Sequence, residues 1–287
     1  MSEINILQPG FYTSIQDLGR KEFMHYGVPV SGAMDNFSAK KANLLVNNQE
    51  NAAVLEITMT GPTLDFQTQT EIAICGAQFE VYLNNSLISN SRLYTIPPKS
   101  ILKFGALQKG FRAYLAVHGG FQTRQVLGSR SFYSEITEKV RLQKGDQLPI
   151  NVVNINNSAT NSRVSFEDKQ LWSQEIPVYK GPEYDFLPSE LKEQLSRFSF
   201  TLTPASNRMA IPFQELMPNN LKGIVTAPVL PGTIQLTPSG ILIALMRDCQ
   251  ITGGYPRIFQ ISEPGICRLS QKKPGESVCF RLIELSR

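Results

Sequence analysis

The residues of this chain best suited to chemistry sit in one tract, Asp248-Cys-Gln-Ile-Thr-Gly-Gly-Tyr-Pro-Arg257. An apolar run, Ile241 to Met246, leads into it. A buried strand that opens into small and polar residues exposes backbone N–H groups to a ligand. Gly253 and Gly254 can offer two such groups to a carbonyl or phosphate oxygen, as in an oxyanion hole, or simply turn a hairpin. Asp248 can orient a donor, act as a base or cap a turn. Gln250 both donates and accepts, which suits an amide ligand. Tyr255 adds a phenol. A second tract of the same flavour lies near the N-terminus: Ser14-Ile-Gln-Asp-Leu-Gly-Arg20, then Gly27-Val-Pro-Val-Ser-Gly-Ala-Met-Asp35. Asp17 and Arg20 either form a local ion pair that fixes a loop or leave Arg20 to clamp a carboxylate or phosphate. His25, between the two motifs, is the acid/base candidate; His118, before Gly119-Gly120, reads as structural or as a contact between subunits. Asn207 and Arg208 follow an alternating segment and can face the same cavity. The tracts from the two ends of the chain are expected to build one ligand site.

Several chemistries are excluded. The two histidines show no metal-ligand spacing, H-E-x-x-H is absent and the four cysteines form no C-x-x-C pair, so no metal site is expected. Neither a G-x-x-x-x-G-K-[ST] loop nor a G-x-S-x-G elbow occurs. The formal charge is only +4 over 287 residues, with no basic run longer than a pair, so no nucleic-acid partner is expected. The start, Met1-Ser-Glu-Ile, lacks a basic and then apolar leader, and no apolar stretch approaches a membrane span. Free thiols and the absence of a leader point to the cytoplasm.

The elements that must carry these residues are mostly strands. Segments 71–75, 79–83, 100–104, 113–117, 198–202, 234–236, 241–246 and 275–283 alternate or run apolar. Asn84-Asn85 can turn a hairpin with positive φ, and Thr237-Pro-Ser-Gly240 marks another. Two helices are expected: one from about Asp35 to Val46 capped by Ser31 or Asp35, and one capped by Ser189 with Leu191, Leu195 and Phe198 on its stripe. With 18 prolines, 41% hydrophobic and 18% charged residues, the chain reads as a mainly β globular protein of barrels or sandwiches. The polar stretch 151–165 places a boundary near 160, dividing the chain into halves of 1–160 and 161–287 that can interleave.

The two N-terminal motifs resemble the opening of the allophanate-hydrolase-subunit-2-type proteins, also called the biotin-dependent carboxyltransferase family. The likeness continues in order through Leu55-Glu56, Gly61-Pro62, Gly76-Ala77, Tyr114-Leu-Ala-Val-His-Gly-Gly120 and Leu127-Gly-Ser129. It resumes at Gly181-Pro182, Ser206-Asn-Arg-Met209, Pro231-Gly-Thr-Ile-Gln235 and Gln250 to Arg257. The resemblance implies two cyclophilin-like β-barrel halves with a few short helices. It implies the C component of an ATP-dependent 5-oxoprolinase, which opens 5-oxoproline to glutamate with a B component (KipI-like) and an A component. ATP would then be held at a site shared with a partner. It adds Gln235 to a substrate-binding set of Asp17, Arg20, Asn207, Arg208, Gly253, Gly254 and Tyr255, beside Asp248, Gln250 and His25 as catalytic candidates. Two other activities occur in the family: carboxyl transfer from carboxybiotin to an amide or urea, and KipA-like antagonism of a kinase inhibitor without catalysis. No Lys here is flanked by Met on both sides, so a biotin carrier would be another protein. The sequence departs from the family pattern after Met209, where Ala210-Ile-Pro-Phe-Gln-Glu215 replaces a glycine and a basic residue, and at Arg247-Asp248-Cys249.

Overall fold

The structure, a computed structural model, describes residues 2–151 and 168–284. The boundary expected near 160 lies outside the described residues. The chain divides into two compact units, Met1–Arg20 with Ser31–Glu167, and Lys21–Val30 with Asp168–Arg287. Both are mainly β, as the sequence patterns anticipate.

In the first unit the strands are β1 (Ser2–Gln8), β2 (Tyr12–Gln16), β3 (Val54–Thr58), β4 (Thr63–Phe66), β5 (Thr70–Leu83), β6 (Ser86–Ile88), β7 (Leu93–Ile96), β8 (Ser100–Val117) and β9 (Gln147–Ile150). They form one curled sheet in the order β2-β3-β8-β4-β1-β9, with β5 paired to β6, β7 and β8. The two strands expected at 71–75 and 79–83 are a single long strand. Its pairing with β8 slips in register just after Gly76, where φ is +89°, so a bulge bends the ribbon without ending it. Asn84 and Asn85 both take positive φ and close the β5–β6 hairpin, as expected. Ile4, Ile15, Leu55, Leu64, Phe66, Leu102 and Leu115 fill the hollow of the sheet. Each such side chain contributes about 1.5–3 kcal/mol by leaving water. Helix α1 (Asn36–Leu45) is capped by Asp35, whose carboxylate accepts from the Ser38 N–H at 3.0 Å.

The second unit holds β10 (Glu175–Lys180), β11 (Phe200–Thr201), β12 (Ala210–Leu216), β13 (Ala227–Pro228), β14 (Thr233–Leu236), β15 (Ile241–Leu245), β16 (Thr252–Gly253), β17 (Arg257–Ile261) and β18 (Ser277–Leu282). Seven of these make a sheet in the order β11-β18-β10-β17-β14-β15-β12, while β13 and β16 form a separate ribbon. A bridge from Leu202 to Phe213 links the two edge strands, so this sheet is a nearly closed barrel. Phe280 packs against Phe200, Phe213 and Phe259 at ring separations of 5.1 to 5.7 Å to form its centre.

The helices of this unit depart from expectation in three ways. In α2 (Ser189–Arg197) the N-cap is Pro188 rather than Ser189, and no side chain caps it. Leu191 and Leu195 are buried as the stripe requires, but Phe198 lies beyond the last turn in extended backbone and is 45% exposed. A third helix, α3 (Glu263–Ser270), was not expected, although Ser262 caps it and Pro264 sits in its first turn. Its apolar residues continue the strand-like run of β17, which masks the change of period. No helix among the described residues is long and apolar enough to cross a membrane.

Candidate functional site

The tract 248–257 leaves the barrel at the end of β15 and returns as β17. Asp248 accepts two hydrogen bonds from Arg208, Nε to Oδ2 at 2.8 Å and Nη2 to Oδ1 at 3.0 Å. Both side chains are largely buried, 13% and 9% exposed. This fork-to-fork geometry suits guanidinium and carboxylate. The Asp248 N–H also donates to the Arg208 carbonyl, so the two loops are joined by backbone as well as charge. Arg247 pairs with Glu263 in the first turn of α3. Cys249 is buried, and burial, with the neighbouring Asp248 second, pushes its thiol up to about 12, so it stays protonated and is not a nucleophile.

Gln250 is half-buried, and its Oε1 is fully covered yet accepts no hydrogen bond among the described residues. A buried amide oxygen without a donor is costly, by about 1–3 kcal/mol. Gln235 is 2% exposed and donates to the Tyr255 carbonyl at 3.3 Å. A Cβ on Gly253 would lie 2.5 Å from the Gln235 Nε2, whereas one on Gly254 would meet only the Ile224 oxygen at 3.7 Å. Gly253 is therefore glycine because Gln235 passes close to it. In the β13–β16 ribbon Ala227 faces Gly253, and the Val229 N–H donates to Ile251 O. Alternation along that ladder directs the Gly253 N–H to the Ala227 carbonyl and leaves the Gly254 N–H outside the ladder. The Tyr255 side chain is 43% exposed.

Arg257 anchors the same ribbon. It forks onto Glu183, Nε to Oε2 at 3.0 Å and Nη2 to Oε1 at 2.9 Å, and donates from Nη1 to the Pro228 carbonyl at 3.0 Å. The hydrogen bond from Arg257 is the main cause that holds the Glu183 carboxyl below its ordinary value. Asn207 uses its Oδ1 on the Met209 and Ala210 N–H groups at 2.7 and 3.1 Å, closing the turn that presents Arg208. His25 belongs to the second unit too, exposed on a 3-10 turn (Lys21–Tyr26) with its ring 4.0 Å from that of Tyr26.

Asp17 and Arg20 belong to the first unit. Asp17 accepts from Ser129 Oγ (2.6 Å), Ser131 Oγ (2.7 Å) and the N–H groups of Arg130 (2.6 Å) and Gly19 (2.8 Å). It organises the loop at Leu127-Gly-Ser129. Arg20 is 2% exposed and donates to the Ser131 carbonyl at 2.5 Å. Both side chains thus brace the 129–131 loop.

Sequence reasoning passed over a buried polar cluster beneath the second N-terminal motif. Glu56, fully buried on β3, accepts from the Met34 N–H at 2.7 Å and from the Tyr114 hydroxyl at 2.9 Å, with Arg112 at 4.0 Å. Tyr114 in turn accepts from the Asp35 N–H at 2.8 Å. Burial above all, then Glu56 and Asp35, raises the Tyr114 hydroxyl well above its ordinary value, so it remains a donor. The signal was present in a lone acid within an apolar strand and a tyrosine within another.

The basic side chains around tract 248–257 do not fit a triphosphate by themselves. Arg208, Arg247 and Arg257 each meet a carboxylate. Among the described residues no cluster of three His, Cys, Asp or Glu could hold a metal ion.

A mainly β chain of a curled sheet and a nearly closed barrel, with its polar tract at a barrel rim, has the architecture of a carboxyltransferase domain. The model of the family described as "Carboxyltransferase domain, subdomain A and B" matches residues 26–282. The chain belongs to that family. It is 34% identical to the C subunit of 5-oxoprolinase from Escherichia coli over 96% of this chain and 90% of that protein. It is 29% identical to urea amidolyase of Lachancea kluyveri over 96% of this chain and 16% of that protein. The crystal structure of the Kluyveromyces lactis urea carboxylase superposes with TM-score 0.88 and 26% identity, covering 99% of this chain and 27% of that one. The crystal structure of TTHA0988 superposes with TM-score 0.86 and 26% identity over 98% of this chain, which spans 55% of it.

Proposed function

We propose that this chain is the C component of an ATP-dependent 5-oxoprolinase and opens 5-oxoproline to glutamate together with the A and B components. The observation that carries the reading is the likeness to the E. coli C subunit, which runs through nine-tenths of that protein. Of the urea amidolyases, one matches at lower identity and the other over less than half of this chain, and this chain spans only 16% and 7% of them.

In this reading the lactam of the substrate lies against Gln250. A lactam carries one N–H donor beside one carbonyl acceptor, and a primary amide meets both at once. Gln250 is half-buried, so part of the residue is open to a ligand, which supports that placement. The Gly254 N–H and the Tyr255 phenol are the groups left to polarise the carbonyl. Asp248 and Arg208 hold the tract in place, Gln235 and Asn207 shape its walls, and exposed His25 is the acid/base candidate. Asp17 and Arg20 act by bracing the loop at 129–131. The arginines near the tract are paired with carboxylates, so the nucleotide belongs to a site completed by a partner protein.

Co-expression with the A and B components tests the reading. Glutamate should form from 5-oxoproline only with ATP, and Gln250→Leu should lower kcat while the three components still co-purify. A complex that forms normally but yields no glutamate overturns it. The second reading, carboxyl transfer from carboxybiotin, is favoured by the likeness to the urea carboxylase structure and predicts transfer of labelled carboxylate to an amide instead.

A further inference from the structure

A hollow of about 380 Å³ in the second unit lies apart from tract 248–257. Four consecutive residues of β18, Cys279 to Leu282, line it. Alternate strand side chains point to opposite faces of a sheet, so a hollow lined by four in a row opens onto the edge of the strand. The opposite wall is α2, through Lys192 and Leu195, and Tyr184 lies beside it.

Among the described residues, that edge of β18 is unpaired beyond Val278. The Cys279 N–H donates to Gln174 O and the Ile283 N–H to Val178 O, so the odd-numbered residues turn their backbone groups to β10. The even-numbered residues turn theirs to the other side. There the pairing with β11 covers only Ser277 and Val278. Phe280 and Leu282 therefore present N–H and C=O groups to the hollow, about 7 Å apart. A ligand that meets both sites needs alternating donors and acceptors at strand spacing, which an extended peptide has and a compact metabolite lacks. Charge narrows the choice further. Glu175 is engaged by Arg281 at 3.3 Å. Lys192 meets the Asp185 carbonyl at 3.2 Å and lies 5.5 Å from the Tyr184 ring, with no carboxylate partner among the described residues.

We propose that the open edge of β18 beside α2 is a docking site for an extended peptide segment of another polypeptide, which adds as a strand to Phe280 and Leu282 and places a carboxylate on Lys192. This is strand addition, with backbone bonds giving affinity and the cation giving selectivity. It does not depend on the reaction proposed above.

The test uses the full chain and an array of labelled acetyl-pentapeptides of alternating valine and threonine, each with one glutamate. In the free protein the Phe280 and Leu282 amides should exchange with solvent much faster than those of Cys279 and Arg281. At least one peptide should bind saturably and slow both. Its binding should weaken about tenfold when its alternate amides are N-methylated, and about tenfold in Lys192→Gln. Leu282→Pro should weaken it as well, since that proline removes only the outward N–H and spares the ladder to β10. The proposal is overturned by slow exchange at Phe280 in the free chain, by no saturable binding up to about 1 mM, or by equal binding of N-methylated peptides. Competition by glutarate as strong as by peptide would also overturn it, because the hollow would then be a site for small carboxylates.

Discussion

Asp248→Asn isolates the charge that joins the two loops at the rim of the barrel. The substitution keeps the shape and one acceptor but removes the negative charge of Asp248 from beside Arg208, which is 9% exposed. At the observed 2.8 and 3.0 Å contacts, a pair of this kind interacts by about 4 kcal/mol at the effective dielectric of a protein interior near the surface. Desolvation offsets much of that when the pair forms, but not when one partner alone is removed. Breaking a buried pair costs about 3–5 kcal/mol, and the retained acceptor places this case at about 3. For a unit of this size each kcal/mol moves the midpoint by about 2–4 °C, so Tm should fall by about 6–12 °C. Urea unfolding followed by the fluorescence of Trp172 and by circular dichroism measures the loss. The double variant Arg208→Met with Asp248→Leu should recover to within about 1 kcal/mol of the parent, since well-packed apolar replacements often match a buried ion pair. A loss below about 0.5 kcal/mol in Asp248→Asn, or a double variant as unstable as the single one, would refute the reasoning.

Other consequences follow from single contacts. Gly253→Ala should cost about 1–3 kcal/mol because the new methyl meets Gln235, while Gly254→Ala should stay within about 0.5 kcal/mol; parallel denaturant titrations compare them. The Glu183 carboxyl titrates below its unfolded value of 4.5, so its contribution is complete above that value and disappears as pH falls through the lowered one. Stability profiles from pH 7 to pH 3 should therefore show Glu183→Gln less stable than the parent at neutrality and the two converging in acid. Tyr114→Phe removes one donor to the Glu56 carboxylate and the hydroxyl that accepts from the Asp35 N–H, and calorimetry should show a loss of about 1–3 kcal/mol.

The cap of α1, narrowed to Ser31 or Asp35 and found at Asp35, the Asn84–Asn85 hairpin and the hairpin at Thr237-Pro-Ser-Gly240 were legible, because each is set by the backbone preferences of adjacent residues. α3 was missed for the converse reason. Its apolar residues follow β17 without a break in composition, which masks the local signals at Ser262 and Pro264, and packing against β10 sets which face is buried. Phe198 shows the same limit, since a helical stripe predicts burial only if the helix reaches that far.

The sequence by itself determined that the chain is mainly β, that its glycine-bearing tracts occur in the order of the carboxyltransferase family, and which residue types could meet an amide. Only the tertiary structure decided which charges are spent. Asp248 and Arg208 lie 40 residues apart, Glu56 and Tyr114 58, and Glu183 and Arg257 74. Local propensity acts over a few neighbours, whereas those pairs are brought together by sheet register and loop closure. A sequence therefore displays an arginine or a carboxylate as available chemistry, and the fold alone shows whether its partner is a substrate or another part of the chain.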